Sequence, residues 1–161
     1  MNHLLHPAAF LMSHDELRVM SQCALCQSRH LTPGQLLAWN GHQATQIIRE
    51  IRPDAQIRVW SDMFDPLHNA VEHYYAVNGT LKGSWKGLDP GIGIVNWNGG
   101  LMGKNCPFFA NRGLQQILSG YYGGDEYGAM DVWARKAWGG GKAKRPTRAA
   151  GADSHSAAGA S

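Results

Sequence analysis

Four short apolar segments recur along this chain at separations of a few tens of residues. They are Phe10–Met12, Gln56–Asp62, Ile92–Trp97 and Gln116–Tyr122. Short apolar runs that stop at polar residues indicate buried β-strands. Strands separated by connections this long are parallel neighbours joined by right-handed crossovers. The chain is therefore predicted to be an α/β protein whose four strands are adjacent, parallel and in sequence order.

The connections between these strands contain helix signals. Thr32 and Pro33 form an N-cap followed by proline at the first helical position, and apolar residues then recur at spacings of three, four and seven. We therefore expect a helix from Pro33 to Arg52. Weaker patterns indicate further helices at Asn69–Val77, Pro107–Arg112 and Asp125–Trp138.

This alternation of strands and helices suits either an open doubly wound sheet or an arc of a barrel. No glycine fingerprint of a phosphate-binding loop follows any strand, which favours the barrel. A complete barrel has eight strand-helix units in about 250 residues, so a chain with four units corresponds to about half of one. We predict a partial (β/α)8 TIM barrel of about four consecutive units over residues 1–138.

The composition changes abruptly at Gly139. From there to Ser161 the chain contains glycine, alanine, serine and basic residues but no large apolar side chain. Such a segment cannot bury enough apolar area to offset the entropy lost on ordering. Residues 139–161 are therefore predicted to be a disordered tail, either a linker or the product of a shifted reading frame.

The net charge of +3 says little about partners, because four basic residues lie in this tail and the rest is about neutral. We expect no nucleic-acid partner. No apolar run approaches the roughly 20 residues of a membrane span, so no membrane partner is expected either. The opening residues lack an export signal, and the chain as given is expected to be cytoplasmic; a signal peptide lost upstream would make it exported.

Three cysteines do not make a disulfide framework. Cys23 and Cys26, with His30 and the distant Cys106, suggest a closed zinc site, but a second paired ligand at suitable spacing is lacking. Cys26 is therefore expected to be a small buried residue. The leading hypothesis includes no metal and no cofactor. An alternative is an open catalytic metal held by His14, Asp62, Asp65 and His68.

Polar and aromatic residues stand at the C-terminal end of every predicted strand. They are His14, Asp15 and Glu16, then Trp60 and Asp62, then Asn96 and Trp97, and finally Tyr121 and Tyr122. In (β/α) barrels this end of the sheet builds the active site. Carboxylates among aromatic rings suit a sugar, whose faces stack on rings and whose hydroxyls need hydrogen bonds. The sequence therefore favours a carbohydrate substrate.

The segment FLMSHDELRVM, followed by a helix and the strand RVWSDMF, resembles the C-terminal half of the family 20 glycoside hydrolases, the β-N-acetylhexosaminidases. The resemblance covers about Phe10 to Tyr122. It departs from the family at His14, where a glycine usually precedes the Asp-Glu pair. The stretches VWSDMFDPLHNAV and GSWKGL resemble uncharacterised bacterial barrel proteins more closely.

The resemblance implies that Glu16 is the general acid that protonates the leaving oxygen. Asp15 would orient the substrate's own acetamido group as the nucleophile, a substrate-assisted scheme. A glutamate in a partly desolvated site beside an ionised aspartate has the raised pKa that an acid working near neutrality requires. Tyr121 or Tyr122 would hold the acetamido oxygen, and Trp60 or Trp97 would form the sugar platform.

Structural roles for the same residues stay open. The Asp-Glu pair could be a helix N-terminal charge pair, Asp62 a loop cap, and the tryptophans core rings.

The sequence leaves three functional hypotheses. The first is a glycoside hydrolase, or a fragment of one, that cleaves a terminal amino sugar. The others are a catalytically silent carbohydrate-binding barrel fragment and a metal-dependent hydrolase. In each case a half barrel exposes two sheet edges, which invites self-association.

Overall fold

The computed structural model of this protein describes residues 6–119. The elements in chain order are β1 (Ala9–Leu11), β2 (Val19–Met20), α1 (Ala24–Gln27), α2 (Pro33–Ile51), β3 (Gln56–Trp60), a 3-10 turn at Asp62–Phe64, β4 (Ala76–Val77), a second 3-10 turn at Ser84–Gly87, β5 (Gly93–Asn96), α3 (Met102–Ala110) and β6 (Gln115–Leu118). Among these residues, no helix has the length and apolar character needed to cross a membrane.

A four-stranded parallel sheet in the order β1, β3, β5, β6 forms the centre of the fold. Its register places Phe10 beside Ile57 and Val59 beside Ile94. Spatial order equals sequence order, as expected when consecutive strands of parallel units pair with each other. The predicted α/β class with four adjacent parallel strands is therefore confirmed. The separate parallel pair of β2 and β4 was not predicted, because two-residue strands leave no periodic pattern.

One face of the four-stranded sheet packs against the helices. The Met12 sulfur, just after β1, accepts a hydrogen bond from the Thr45 hydroxyl of α2 at 3.7 Å. The residues of this face pack with residues of the helices and the long connections to form the hydrophobic core. The buried residues of this core are Leu37, Ile57, Val59, Met63, Phe64, Val77, Leu81, Ile92, Ile94, Phe109 and Leu114.

Successive side chains along each strand point to opposite faces of the sheet, which identifies the residues on the other face. The register places Leu11, Trp60, Val95 and Ile117 on it. Leu11 and Ile117, on the two outer strands, are 48% and 37% exposed. This face would line the interior if the sheet were part of a closed barrel.

Helix α2 begins where the sequence indicates. The Thr32 hydroxyl accepts from the Gln35 backbone N–H at 3.2 Å, and the Gln35 side chain accepts from the Thr32 N–H at 2.9 Å. This reciprocal capping box satisfies two N–H groups that the first helical turn leaves unpaired. The helix ends at Ile51, one residue before the predicted boundary.

Helix α2 lies directly on the second 3-10 turn, and a glycine on each side permits the approach. A Cβ at Gly87 would lie far inside van der Waals contact with the carbonyl oxygen of Ala38. A Cβ at Gly34 would lie 2.6 Å from the carbonyl oxygen of Leu81. Both obstacles are backbone atoms, so neither can move aside as a flexible side chain would.

The prediction of a helix at Asn69–Val77 was wrong. This region consists of turns that end in β4. The turns begin at Asp65, whose carboxylate accepts from the Leu67 N–H at 2.8 Å and whose carbonyl accepts from the His68 N–H at 3.0 Å. Side-chain hydrogen bonds of this kind compete with helix formation.

Helix α3 and strand β6 also differ from their predicted bounds. Helix α3 begins at Met102 rather than Pro107, so the proline lies inside the helix instead of at its first turn. Strand β6 is observed from Gln115 to Leu118. The predicted continuation of this strand to Tyr122, the helix at 125–138 and the tail at 139–161 lie outside the described residues.

Candidate functional site at the C-terminal edge of the sheet

Asp62 is fully buried just beyond the C-terminal end of β3. Its Oδ2 accepts hydrogen bonds from the Glu16 backbone N–H and the Asn69 side-chain amide, both at 2.9 Å. Its Oδ1 accepts from the indole Nε1 of Trp97 at 3.4 Å. These donors belong to the segments that follow β1, β3 and β5. One buried carboxylate therefore ties together the chain after three parallel strands.

The segment after β1 has an unusual backbone. Ser13, His14 and Glu16 have φ angles of +60°, +63° and +44°. Residues other than glycine cost about 1–2 kcal/mol each in this left-handed region. The neighbouring strand holds the segment, because the Ser13 carbonyl accepts from the Trp60 N–H at 3.2 Å. Strain that the surroundings maintain clusters at ligand sites, so this loop is a candidate for function.

The side chains of the Asp-Glu pair on this loop are exposed. The Glu16 carboxylate forms an ion pair with Arg18 at 2.7 Å, and the two side chains are 47% and 53% exposed. The sequence predicted a partly desolvated glutamate. The described residues instead leave the Glu16 side chain half exposed and paired with Arg18, and only its backbone N–H reaches Asp62.

The two predicted sugar-platform tryptophans lie in different places. Trp97 stands beside the buried carboxylate, and its ring is tilted by 58° against His68 with centroids 4.9 Å apart. Trp60 is half-buried on the sheet face away from the helices. Only Trp97 therefore joins the cluster around Asp62.

The other predicted binding residues are dispersed. The His14 Nε2 is 2.8 Å from the Asn40 Oδ1 on α2, and its ring packs edge-on against Phe64. Asn96 is buried on the helix-facing side, where its amide donates to the Gln116 side chain at 2.6 Å. Tyr121 and Tyr122 lie outside the described residues.

Asp65 is a second fully buried carboxylate, three residues after Asp62. Its Oδ2 accepts from the Asn105 amide at 2.8 Å. Burial raises the pKa of Asp65, and the charge of Asp62 raises it further, whereas hydrogen bonds from Leu67 and Asn105 act in the opposite direction. The carboxylate is therefore protonated more readily than an ordinary aspartate.

Sequence reasoning gave Asp65 only as part of the metal alternative and missed Asn69 and Asn105. A usable signal was present in the run from Ser61 to Asn69, which mixes carboxylates and amides with large apolar residues directly after a strand. Such a mixture indicates that a loop is drawn into the interior, where its polar groups need partners.

Replacing Asp65 by asparagine should make stability less dependent on pH. The folded pKa is raised, so this group's contribution is fully present below about pH 3.8 and is lost as the pH rises through the folded value. An asparagine side chain does not ionise, so the stability of the variant lacks this dependence on pH. Its amide can also donate to the Asn105 Oδ1, which has no partner among residues 6–119. We therefore expect the variant to gain stability relative to wild type as the pH rises above about 4.

Urea unfolding across this pH range measures the difference in free energy of unfolding. Asp54→Asn, which removes an exposed carboxylate, controls for the loss of one negative charge. A variant that instead lost stability towards neutral pH would show that the charge of Asp65 stabilises the fold.

The metal alternative requires four converging ligands. Within residues 6–119, no group of three or more His, Cys, Asp or Glu side chains is placed to hold a metal ion. His14 contacts Asn40, and both oxygens of Asp62 already accept hydrogen bonds. The four residues named from the sequence are therefore not assembled as a metal site in this part of the chain.

Several buried polar atoms near the sheet edge lack partners among the described residues. They are the Ser61 Oγ, His68 Nδ1, Asn96 Oδ1 and Asn105 Oδ1. Unsatisfied buried groups cost about 1–3 kcal/mol each, so a native structure that keeps them needs a reason. This edge offers buried carboxylates, amides and an indole ring, a set that can hydrogen-bond and stack against a polar ligand. No family model, curated protein or solved structure matches this chain.

Proposed function

We propose that this chain is a segment of a (β/α)8-barrel glycoside hydrolase that acts on a terminal amino sugar. The observation that carries the proposal is the set of hydrogen bonds to Asp62. They join the Asp-Glu loop after β1 to the loop after β3 and to Trp97 after β5. The C-terminal edge of the sheet, where such barrels bind substrate, is therefore one connected structure.

The barrel part of the proposal draws support from the sheet face opposite the helices. Leu11 and Ile117 expose apolar side chains there, one on each outer strand. Parallel sheets are normally covered on both faces. Additional strand-helix units would bury this face and pair the two outer strands, as barrel closure requires.

In the proposed reaction, Glu16 gives its proton to the leaving glycosidic oxygen. Asp15 orients the acetamido group of the substrate, which attacks the anomeric carbon as the bond to the leaving oxygen breaks. The hydrogen bond from the Glu16 N–H to Asp62 fixes the backbone from which the acid side chain extends. The ion pair between Arg18 and Glu16 has to open before Glu16 can act as the acid.

A carbohydrate-binding barrel segment without catalysis is the second candidate. The ion pair between Glu16 and Arg18 favours it, because the Glu16 carboxylate is half exposed and is engaged by Arg18 instead of facing a substrate. Binding would still use Trp97 and the polar groups of the sheet edge. The two candidates therefore share a ligand and differ in whether a bond is cleaved.

Hydrolysis of N-acetylglucosaminides by a polypeptide that contains this segment separates the candidates. Glu16→Gln should slow cleavage most for substrates with poor leaving groups and much less for activated aryl glycosides. Asp15→Asn should slow both kinds of substrate, because the acetamido group loses its orienting charge. Glu50→Gln, an exposed carboxyl change on α2, should match wild type.

The other outcomes of these measurements decide between the two candidates or against both. Wild-type rates in both variants would show that the pair is structural. If wild type bound N-acetylglucosamine oligomers, detected through tryptophan fluorescence, without cleaving them, the second candidate would stand. If it did neither, both candidates would fall.

A further inference from the structure

The connection between β2 and α2 carries two cysteines that the proposed function does not use. Cys23 is exposed and Cys26 is partly exposed, so Cys26 is not the buried residue that the sequence suggested. The backbone N–H of Cys26 donates to the Cys23 Sγ at 3.4 Å. Cys23 is the N-cap of α1 and Cys26 is its third residue, so the Cys23 side chain folds back towards Cys26, within the Cα separation of about 7 Å that a disulfide tolerates.

The turn that brings these thiols together is held by hydrogen bonds of its own. The Gln27 amide donates to the carbonyls of Ser21 and Gln22 at 3.4 and 3.3 Å. The Ser28 hydroxyl donates to the Leu25 carbonyl at 3.0 Å. Both cysteines are thus held on one short turn at the protein surface, where a small reagent can reach them.

We propose that Cys23 and Cys26 form a thiol–disulfide exchange site that reacts with low-molecular-weight disulfides of the glutathione type. The Cys23 thiolate attacks one sulfur of the reagent, its S–S bond breaks, and one thiolate leaves. Cys26 then gives up its proton, and its sulfur attacks the Cys23 sulfur and expels the second thiolate. The protein loses two electrons to form the Cys23–Cys26 disulfide, and the reagent is reduced to two thiols.

The order of the two steps follows from the opposite pKa shifts of the two thiols. Hydrogen bonds from the backbone N–H and the thiol of Cys26 lower the pKa of Cys23. The same side-chain contact, together with burial, raises the pKa of Cys26. Because the thiolate is the nucleophile, Cys23 attacks first and Cys26 resolves the mixed disulfide.

Cys106 provides a contrast within the same chain. It is buried in α3, where its sulfur accepts from the Asn96 amide at 3.6 Å. Burial also raises the pKa of Cys106. A thiol of this kind is inert to reagents in solution while the protein stays folded, so reaction of Cys106 as fast as Cys23 would show that the surface turn confers no special reactivity.

A zinc site at the same pair would need further ligands. Among residues 6–119, no third His, Cys, Asp or Glu side chain is placed with these two cysteines to hold a metal ion. Two thiols alone are half of a closed tetrahedral site. The chemistry available to the pair as it stands is exchange between thiol and disulfide.

Oxidised glutathione added to the reduced chain tests the proposal, with the products trapped by alkylation at successive times and identified by peptide mass spectrometry. Wild type should form the Cys23–Cys26 disulfide without retaining glutathione. Cys26→Ser should accumulate glutathione on Cys23. Cys23→Ser should form its glutathione adduct, at Cys26, several-fold more slowly than Cys26→Ser does at Cys23, because the thiol with the lowered pKa is gone. Cys106 should stay reduced throughout.

Alkylation rates of wild type across pH provide a second measurement that needs no variant. Cys23 should become reactive at lower pH than Cys26. Equal rates at the two cysteines, reaction of Cys106 as fast as Cys23, or stable glutathione adducts on wild type in place of a disulfide would each overturn the proposal.

Discussion

Asp62→Asn should lower the free energy of unfolding by about 3 kcal/mol, because an amide cannot replace the carboxylate at this position. Both oxygens of Asp62 accept hydrogen bonds. Oδ2 accepts from the Glu16 N–H and the Asn69 amide, and Oδ1 accepts from the Trp97 indole. The new NH2 group must face one of these donors, which leaves a buried N–H unpaired. The remaining hydrogen bonds also lose the strength that a charged acceptor gives them.

Urea unfolding measures this loss as a shift of the midpoint at constant slope. Asp54→Asn alters an exposed carboxylate, with 79% of its side chain accessible, and should stay within about 0.5 kcal/mol of wild type. Hydrogen exchange at the Glu16 amide should also accelerate in the Asp62 variant. Equal stabilities for the two variants would mean that Asp62 does not hold the loops together.

Gly87→Ala should cost about 3 kcal/mol or more, at the upper end of overpacking effects. The new methyl group would overlap the backbone of Ala38, and no change of rotamer can relieve a clash between two backbone-fixed atoms. Helix α2 would have to move away from the 3-10 turn that Gly87 ends. Leu37 and Leu81, which belong to the same buried core, would then lose contacts.

Gly103→Ala is the matched control, since Gly103 lies in α3 and a Cβ there meets no atom of residues 6–119 within 4 Å beyond its own helix backbone and its two chain neighbours. The same glycine-to-alanine change should stabilise the protein by about 0.5–1 kcal/mol, because alanine favours the helix. Thermal or urea unfolding of both variants gives the comparison. If Gly87→Ala were as stable as wild type, the close approach of α2 would be wrong.

The sheet and its longest helix could be predicted because their signals are local. Each strand is a short apolar run, and α2 is marked by Thr32 and Pro33 followed by apolar residues at spacings of three, four and seven. Parallel order then follows from the length of the connections. The helix expected at Asn69–Val77 failed because backbone groups of this segment bond to other parts of the chain. The Ala76 N–H donates to the Arg18 carbonyl, and the Val71 carbonyl accepts from the Leu81 N–H, a choice that depends on tertiary surroundings.

The sequence predicted which residues follow the strands at this sheet edge, but not the hydrogen bonds between them. The sequence placed Asp62 and Trp97 at the same sheet edge, which follows from parallel strands. The hydrogen bonds from Glu16 to Asp62 and from Asn105 to Asp65 join residues 46 and 40 positions apart. Contacts at such separations leave no periodic pattern, and the left-handed backbone of Ser13 could not be expected of a serine.

The serial order of the parallel strands has a consequence for how this architecture changes in evolution. Each strand of the sheet is hydrogen-bonded only to its nearest sequence neighbours among β1, β3, β5 and β6. A unit gained or lost at either end therefore leaves every existing strand pair in register. Recombination within the connections can alter the chain in whole units, and each piece inherits the strand pairings it had in the parent.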